Sequence, residues 1–411
     1  MPFILITVLI DMLGIGLVIP VMPKLVTEMY GKDISSGSLM FGWIIAVYAL
    51  MQFIFSPVLG NLSDRFGRRP IILLSLLGAG LDYVFMAFAP TLGWLFVGRI
   101  VGGITGASIT AANAYIADVS PPEKRARNFG MIGACFGVGF ILGPAAGGAL
   151  AHFGLRAPFV AAAGLTLLNA LYGYFVLPES LPASERRAFD FRRANPLSSL
   201  GALRRYPVVF GLIGVIALER LAHDALPATW VLYLTYRFSW SELQIGLSLA
   251  LVGVVYAVVQ GGMVGPLVNR WGESKALLIG LCVQAVTYTM YGFATQGWMI
   301  YAIMAMSGLG GLTGPSVQSI MTRRVPADEQ GALQGAVTSV HAIMAVFGPL
   351  LATNLFGLFT SASAPAHLPG AAFLASALLV AVAAVFAIRS VRTTNAADAL
   401  ISEPSAATQE H

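Results

Sequence analysis

The chain alternates long apolar runs with short polar breaks. Twelve runs stand out, at about 3–23, 39–59, 70–89, 92–117, 128–151, 158–177, 207–226, 243–265, 275–294, 298–320, 331–356 and 369–389. Each holds roughly the 20 residues that carry a helix across a bilayer, where a helix satisfies its own backbone hydrogen bonds. The pattern predicts an all-α integral membrane protein with twelve transmembrane helices. Two polar stretches fall outside it, and they divide the chain into an N-terminal six-helix half (1–177), a cytoplasmic central loop (178–206), a C-terminal six-helix half (207–389) and a disordered tail (390–411).

Composition strengthens this reading. Of 411 residues, 57% are hydrophobic and 10% charged, against about 25% charged in an ordinary soluble domain. The first run has no basic segment ahead of it and continues past any cleavage point, so it reads as a span. Cys135 and Cys282 lie in different runs and indicate packing rather than a disulfide or a metal site.

Charge then orients the chain. Eighteen Lys and Arg residues fall on one set of alternating loops and four (Lys24, Lys32, Arg156, Arg237) on the other. Basic residues accumulate on the cytoplasmic side, which places both termini and the central loop there. The net charge of +5 follows from this asymmetry. No basic patch with interleaved aromatics points to nucleic acid.

The chain also repeats. "GNLSDRFGRRP" at Gly60 and "GPLVNRWGESK" at Gly265 share Gly, Leu, Arg, an aromatic and Gly in order, 205 residues apart. At the same offset Gly143 and Pro144 fall on Gly348 and Pro349. Two parallel six-span halves of this kind build transporters with a midplane site.

Charges inside a span cost about 2.5 to 3.5 kcal/mol on insertion scales and mark functional candidates. They are Asp11, Asp82, Arg99, and the cluster Glu219, Arg220, His223 and Asp224 in run seven. Asp11 sits beside Gly14 and Gly16, which allow close helix approach, with Pro20 loosening the helix beyond. Asp11 and Asp82 are candidate proton sites; a carboxylate tied to a neighbouring helix for assembly is the alternative for each. Arg99, Gly106 and Asn113 recur every seven residues, so on one helix they would share a face lining a cavity, or a packing seam. Arg220 and Asp224 are four apart, as are Glu219 and His223, so each pair can meet. Such a cluster either titrates or neutralises itself near the membrane edge.

The polar loop of Gly60, Ser63, Asp64, Arg65, Gly67, Arg68 and Arg69 reads as a cytoplasmic gate. Gly60 is the expected helix stop, Pro70 the next helix start, and Asp64 an acceptor for backbone amides at that start. Its arginines could pair with Asp118, and the loop could latch the two halves together. In run five, Gly139, Gly143, Gly147 and Gly148 repeat a small residue every four positions around Pro144, a face for very close helix packing.

These motifs resemble the major facilitator superfamily: "GNLSDRFGRRP" is similar to its loop signature and "GFILGPAAGG" to its antiporter signature. The nearer resemblance is to the tetracycline/proton antiporters of bacterial inner membranes. It runs through "DMLGIGLVIPVMP", "YALMQFIFSPVLGNLSDRFGRRP", "LDY", "GRIVGGITGASITAANAYIAD", "EKRARNFG", "GACFGVGFILGP" and "GALQG". The resemblance implies alternating access and export of a divalent-cation chelate of tetracycline in exchange for a proton. It assigns Asp11, Asp82 and Arg99 to the coupling pathway, and Asp64, Arg68 and Asp118 to the gate. The chain departs from the family where span nine carries an Asp and span eight a His; Gln284 and Tyr256 stand there. Glu219, His223 and Asp224 are the groups expected to replace the missing acid, since the C-terminal spans hold no other.

The expectation is therefore a proton-coupled exporter of tetracycline-like amphipathic drugs, a monomer in the lipid bilayer, with no cofactor of its own and Mg2+ only as part of a substrate chelate. A proton-coupled or facilitative transporter of another metabolite, such as a sugar importer, would use the same fold. An enzyme would need a nucleophile with a base or a metal cluster; His152, His341 and His367 are scattered and compose neither.

Overall fold

The computed structural model describes residues 2–31, 33–106, 108–121, 124–189, 206–326 and 329–402. Most of the central loop and the extreme C-terminus thus lie outside the described residues. What is described is helical throughout, apart from short connections.

In the N-terminal set, α1 (Pro2–Val18) and α2 (Met22–Tyr30) form one rod bent by 42° around Pro20. There follow α3 (Ile34–Phe66), α4 (Arg68–Phe88), α5 (Leu92–Thr105) with α6 (Ser108–Val119), α7 (Arg125–Leu150) and α8 (Ala157–Val176). The C-terminal set comprises α9 (Pro207–Phe238), α10 (Glu242–Val258), a π turn (Val259–Met263), α11 (Val264–Trp271), α12 (Glu273–Phe293), α13 (Gly297–Ser307), a 3-10 turn (Gly308–Leu312), α14 (Thr313–Thr322), α15 (Gln330–Thr360) and α16 (Ala371–Ser402). Nine rods among the described residues are long and apolar enough to cross a membrane, ten with the bent pair. Large apolar side chains stay exposed on outward faces, among them Leu168 and Phe175 on α8 and Leu378 and Val385 on α16. Such contiguous exposure suits lipid rather than water.

Several boundaries differ from the expectations. Helix α3 runs through Gly60 and stops at Gly67, whose φ of 106° is a glycine conformation. Gly60 has open space where a Cβ would be, so nothing interrupts the helix there. The span carrying Arg99 and Asn113 is two helices, because Gly106 breaks it and Gln52 Nε2 binds the freed Gly106 carbonyl at 2.9 Å. The seven-residue stripe therefore does not run along one helix. Helix α16 continues to Ser402, past the expected boundary at 390, since no Gly or Pro intervenes before Pro404.

The repeat is visible in the backbone. Gly272, 205 positions after Gly67, also has positive φ at 78° and also separates two helices. A Cβ on Gly143 would meet Gly16, and one on Gly348 would meet Leu221, again 205 positions on. Helices α1 and α9 thus occupy matching places in the two sets.

The two sets join through α3 on α15 and α7 on α10. At the end opposite the basic loops, Lys24 Nζ pairs with Glu242 Oε1 at 2.5 Å, Ser35 with Thr360 at 2.9 Å, and Ser38 Oγ donates to the Thr353 carbonyl at 3.1 Å. Gly148 and Gly246 bring the α7 and α10 backbones together there. Toward the basic end, Cβ atoms on Gly133 and Gly137 of α7 and on Gly261 of the π turn would meet nothing within 4 Å. The polar contacts just named between the two sets lie at the far end.

Candidate functional site

In the N-terminal set, α4 and α5 bring Asp82 and Arg99 together, both nearly completely buried. Arg99 Nε donates to Asp82 Oδ1 at 3.1 Å, and its Nη2 binds Oδ2. The fork geometry is the strong form of this pair. Glycines make room for it: a Cβ on Gly102 would lie 2.7 Å from Asp82 Oδ2, and one on Gly98 would lie 3.0 Å from Oδ1. The guanidinium also lies over the Tyr48 ring, 4.9 Å from its centroid, and contacts Met86 Sδ. Asp11 is buried on α1, and Asn113 is half-buried on α6.

In the C-terminal set, α9, α10, α12, α14 and α15 surround a cavity of about 410 Å3. Glu219, Arg220 and His223 line it, joined by His341 from α15 and by Tyr256, Gln260 and Gln284. Arg220 and Asp224 form the expected i,i+4 pair through bonds of 3.1 and 2.9 Å. Glu219 does not turn to His223. Its Oε1 accepts from Gln284 Nε2 at 3.2 Å, and the same nitrogen donates to the Gly310 carbonyl at 3.0 Å. The carboxylate of run seven thus stands against Gln284 of run nine. Gly310 allows this crowding, since a Cβ there would lie 2.6 Å from Gln284 Cγ.

At the basic end Arg68 is the hub. It binds Asp64 at 2.5 Å, Asp118 at 2.9 Å and Ser63 Oγ at 3.1 Å. Asp64 pairs with this side chain and leaves the N-terminus of α4 to another acid. Glu179 of the central loop takes the Arg68 and Arg69 amides at 2.8 and 3.3 Å, where a carboxylate suits the helix dipole. Ser180 Oγ adds a bond to Asp118 at 3.1 Å, and the Arg187 amide one to the Asp64 carbonyl at 3.0 Å. These bonds lie within the N-terminal set and the loop, so they do not latch the two sets together. Arg69 reaches the Tyr174 carbonyl, and Arg65 lies over the Phe66 ring.

The C-terminal set repeats this arrangement with the charges exchanged. Glu273 and Arg323, each 205 positions beyond Arg68 and Asp118, pair at 2.7 Å. Ser319 Oγ donates to the same Glu273 oxygen at 2.5 Å. An acid already opens α12, so no external carboxylate is needed there.

The glycine face of α7 has two partners. Cβ atoms on Gly139, Gly143 and Gly147 would strike Met12, Gly16 and Leu17 of α1, whereas one on Gly148 would strike Glu242 and Leu243 of α10. Pro144 lies inside this helix without ending it.

Sequence reasoning missed Glu179, Tyr48, Gln52, Gln260 and His341. The paired glutamines had a usable signal: each is an amide among apolar residues two spans before a glycine break, and Gln260 binds the Gly311 carbonyl at 3.0 Å as Gln52 binds Gly106.

Comparison with known proteins adds four findings. A family described as the Major Facilitator Superfamily matches residues 4–222 and 215–407. The chain is 44% identical over 355 residues to the tetracycline resistance protein, class C, of Escherichia coli, covering 86% of this chain and 89% of the relative. It is 39% identical over 355 residues to the class G protein of Vibrio anguillarum, covering 84% and 88%. Among solved structures, a bacterial homolog of the human lysosomal transporter Spinster, in an inward-facing and unoccupied conformation, aligns with a TM-score of 0.77 at 16% identity, covering 95% of this chain and 96% of that one.

Proposed function

The chain belongs to the Major Facilitator Superfamily, and on that premise we propose that it is a proton-coupled exporter of tetracycline-like amphipathic drugs. It works by alternating access in the bacterial inner membrane, with the basic end and both termini in the cytoplasm. The state described is then inward-facing, closed at the periplasmic end by Lys24–Glu242 and the Ser–Thr contacts. Residues 1–177 and 207–389 are the two moving halves, and 178–206 is the cytoplasmic linker.

The observation that carries the coupling reading is the 3.2 Å bond between Glu219 and Gln284. The resemblance to tetracycline antiporters implies an acid in span nine, where Gln284 stands; Glu219 places a carboxylate against that residue from α9. An ionised carboxylate in a closed span costs about 2.5 to 3.5 kcal/mol, so Glu219 crosses the occluded state protonated. Asp82 is already held by Arg99, and this pair fixes the wall rather than carrying the proton. Asp11 on α1 serves the pathway from the N-terminal half, and Asn113 on α6 belongs to the same half. Each proton entering down 100 mV supplies about 2.3 kcal/mol, roughly a forty- to fiftyfold drug gradient at 1.4 kcal/mol per tenfold. Mg2+ enters this account only as part of the drug chelate, as substrate.

The test is uptake of labelled tetracycline with Mg2+ into inverted membrane vesicles, with and without an imposed proton gradient. Gradient-driven accumulation that Asp11→Asn abolishes supports the reading. Accumulation no higher than in empty vesicles, with the protein inserted and folded, overturns it in favour of another cargo.

A further inference from the structure

Run ten is not one helix. Between α13 and α14 it passes through the 3-10 turn Gly308–Leu312, and two consecutive carbonyls of that turn are taken by side-chain amides from other elements. Gln284 Nε2 of α12 donates to the Gly310 carbonyl at 3.0 Å, and Gln260 Nε2 donates to the Gly311 carbonyl at 3.0 Å. Glycine leaves room for both, since a Cβ on Gly311 would lie 2.8 Å from Gln260 Nε2, as one on Gly310 would crowd Gln284. Gln260 itself belongs to the π turn Val259–Met263. Irregular backbone at membrane depth persists only where its polar groups find partners, so these two amides hold the break.

Gln284 carries a second duty. The same Nε2 donates to Glu219 Oε1 at 3.2 Å. An amide nitrogen has two hydrogens, and both are spent here, one on a carboxylate and one on the Gly310 carbonyl. Its Oε1 is buried with no donor. Two acceptors thus set the orientation of this amide, and Glu219 is purely an acceptor only while it is ionised.

A proton on Glu219 reverses that preference. The carboxyl becomes a donor, the bond from Nε2 loses its charge assistance, and the amide gains by presenting its donorless Oε1 instead. Turning over to receive that proton takes Nε2 off Gly310, because an amide oxygen cannot bind a carbonyl. The neighbours of Glu219 are consistent with this exchange. Arg220 acts on it from the same helix but is tied to Asp224 by two bonds. His223, Tyr256 of α10, Tyr288 of α12 and His341 of α15 line the same cavity, to which α14 brings the neutral Gln318. Helix α16 packs on α9 through Ser376 and carries no charge before Arg389.

We propose that Gln284 is the positioning residue that relays the protonation of Glu219 to the break in run ten. Ionised Glu219 keeps the amide on Gly310; protonated Glu219 turns it away and frees the turn to change shape. The inference rests on the proton-coupling reading in taking Glu219 as the titrating group, and it adds the element that the proton moves.

The test is hydrogen–deuterium exchange of the purified full-length protein, read by mass spectrometry on the peptide covering Gly308–Leu312 and corrected for intrinsic exchange. As pH is lowered from neutral through the carboxyl range, exchange in wild type should rise about two- to tenfold, the worth of one net hydrogen bond. Glu219→Leu should exchange slowly throughout, because Gln284 then has only Gly310 to serve. Gln284→Leu should exchange fast throughout. Gln260→Leu should exchange faster than wild type and still respond to pH. The peptide around Gly106, where Gln52 holds the N-terminal break, should be the same in all of them, which shows that they are folded. A flat wild-type profile, or a pH response that survives in Glu219→Leu or Gln284→Leu, overturns the proposal. Gradient-driven tetracycline uptake separates the two readings. A pH-sensitive turn without uptake refutes the export reading alone, and gradient-driven uptake with a flat exchange profile refutes this inference alone.

Discussion

Replacing Gly143 by Ala tests how closely α1 and α7 are packed. The added Cβ would lie 2.7 Å from Gly16 Cα, 3.0 Å from Gly16 C and 3.1 Å from the Leu13 oxygen. All three are backbone atoms and cannot swing aside. Carbon atoms prefer about 3.5 to 4.0 Å, so the helices must part by roughly 0.8 Å or more. Overpacking of this kind costs about 1 to 3 kcal/mol, partly offset by a gain of about 1 kcal/mol from replacing Gly in a helix. Gly137→Ala, on the same helix, meets nothing within 4 Å and keeps the whole helix gain. The two variants should therefore differ by about 1 to 3 kcal/mol, with Gly143→Ala the less stable. Unfolding titrations in dodecyl sulfate, followed by helical circular dichroism, measure the difference. Transport should fall with it, because Asp11 rides on α1. A Gly143→Ala protein as stable as Gly137→Ala would refute the packing argument.

Three further outcomes follow from named contacts. Arg99→Ala leaves Asp82 buried without its cation and should cost about 3 to 5 kcal/mol in the same titration, while the double change Asp82→Asn with Arg99→Gln recovers most of it. Glu179→Ala removes the acceptor at the start of α4, at about 0.5 to 2 kcal/mol, and should raise tryptic cleavage at Arg186 and Arg187. Lys24→Glu sets two acids against each other at the closed end, so spin labels on the two halves there should move apart; adding Glu242→Lys should bring them back.

Ten of the twelve expected spans were legible because a membrane selects for apolar runs of a fixed length, while the runs carried by α9 and by α13 with α14 are not among the rods long and apolar enough to cross; the repeat was legible because its loop glycines recur at one offset. Helix ends were less so. Helix α3 begins at Ile34, before the apolar run, because Ser35 and Ser38 bond across to α15 and these polar residues belong to the packed interface. The break at Gly106 depends on Gln52 capturing a carbonyl 54 residues away, which no local pattern announces. Each candidate charge was recognisable alone, but its partner was not. Asp82 and Arg99 meet from different helices, and Glu219 and Gln284 meet across 65 residues. Glu179 was hidden by its setting, a polar loop in which one more acid carries no signal. The charge exchange between Arg68–Asp118 and Glu273–Arg323 is written in the sequence at the repeat offset, yet only the paired geometry gives it meaning.

The central claim is that Glu219 supplies the coupling carboxylate from α9, against Gln284 of α12. It is tested most directly by moving the carboxylate across the 3.2 Å bond. Gradient-driven tetracycline accumulation in inverted vesicles should be lost in Glu219→Gln and return when Gln284→Glu is added to it. Full accumulation in Glu219→Gln alone would contradict the account.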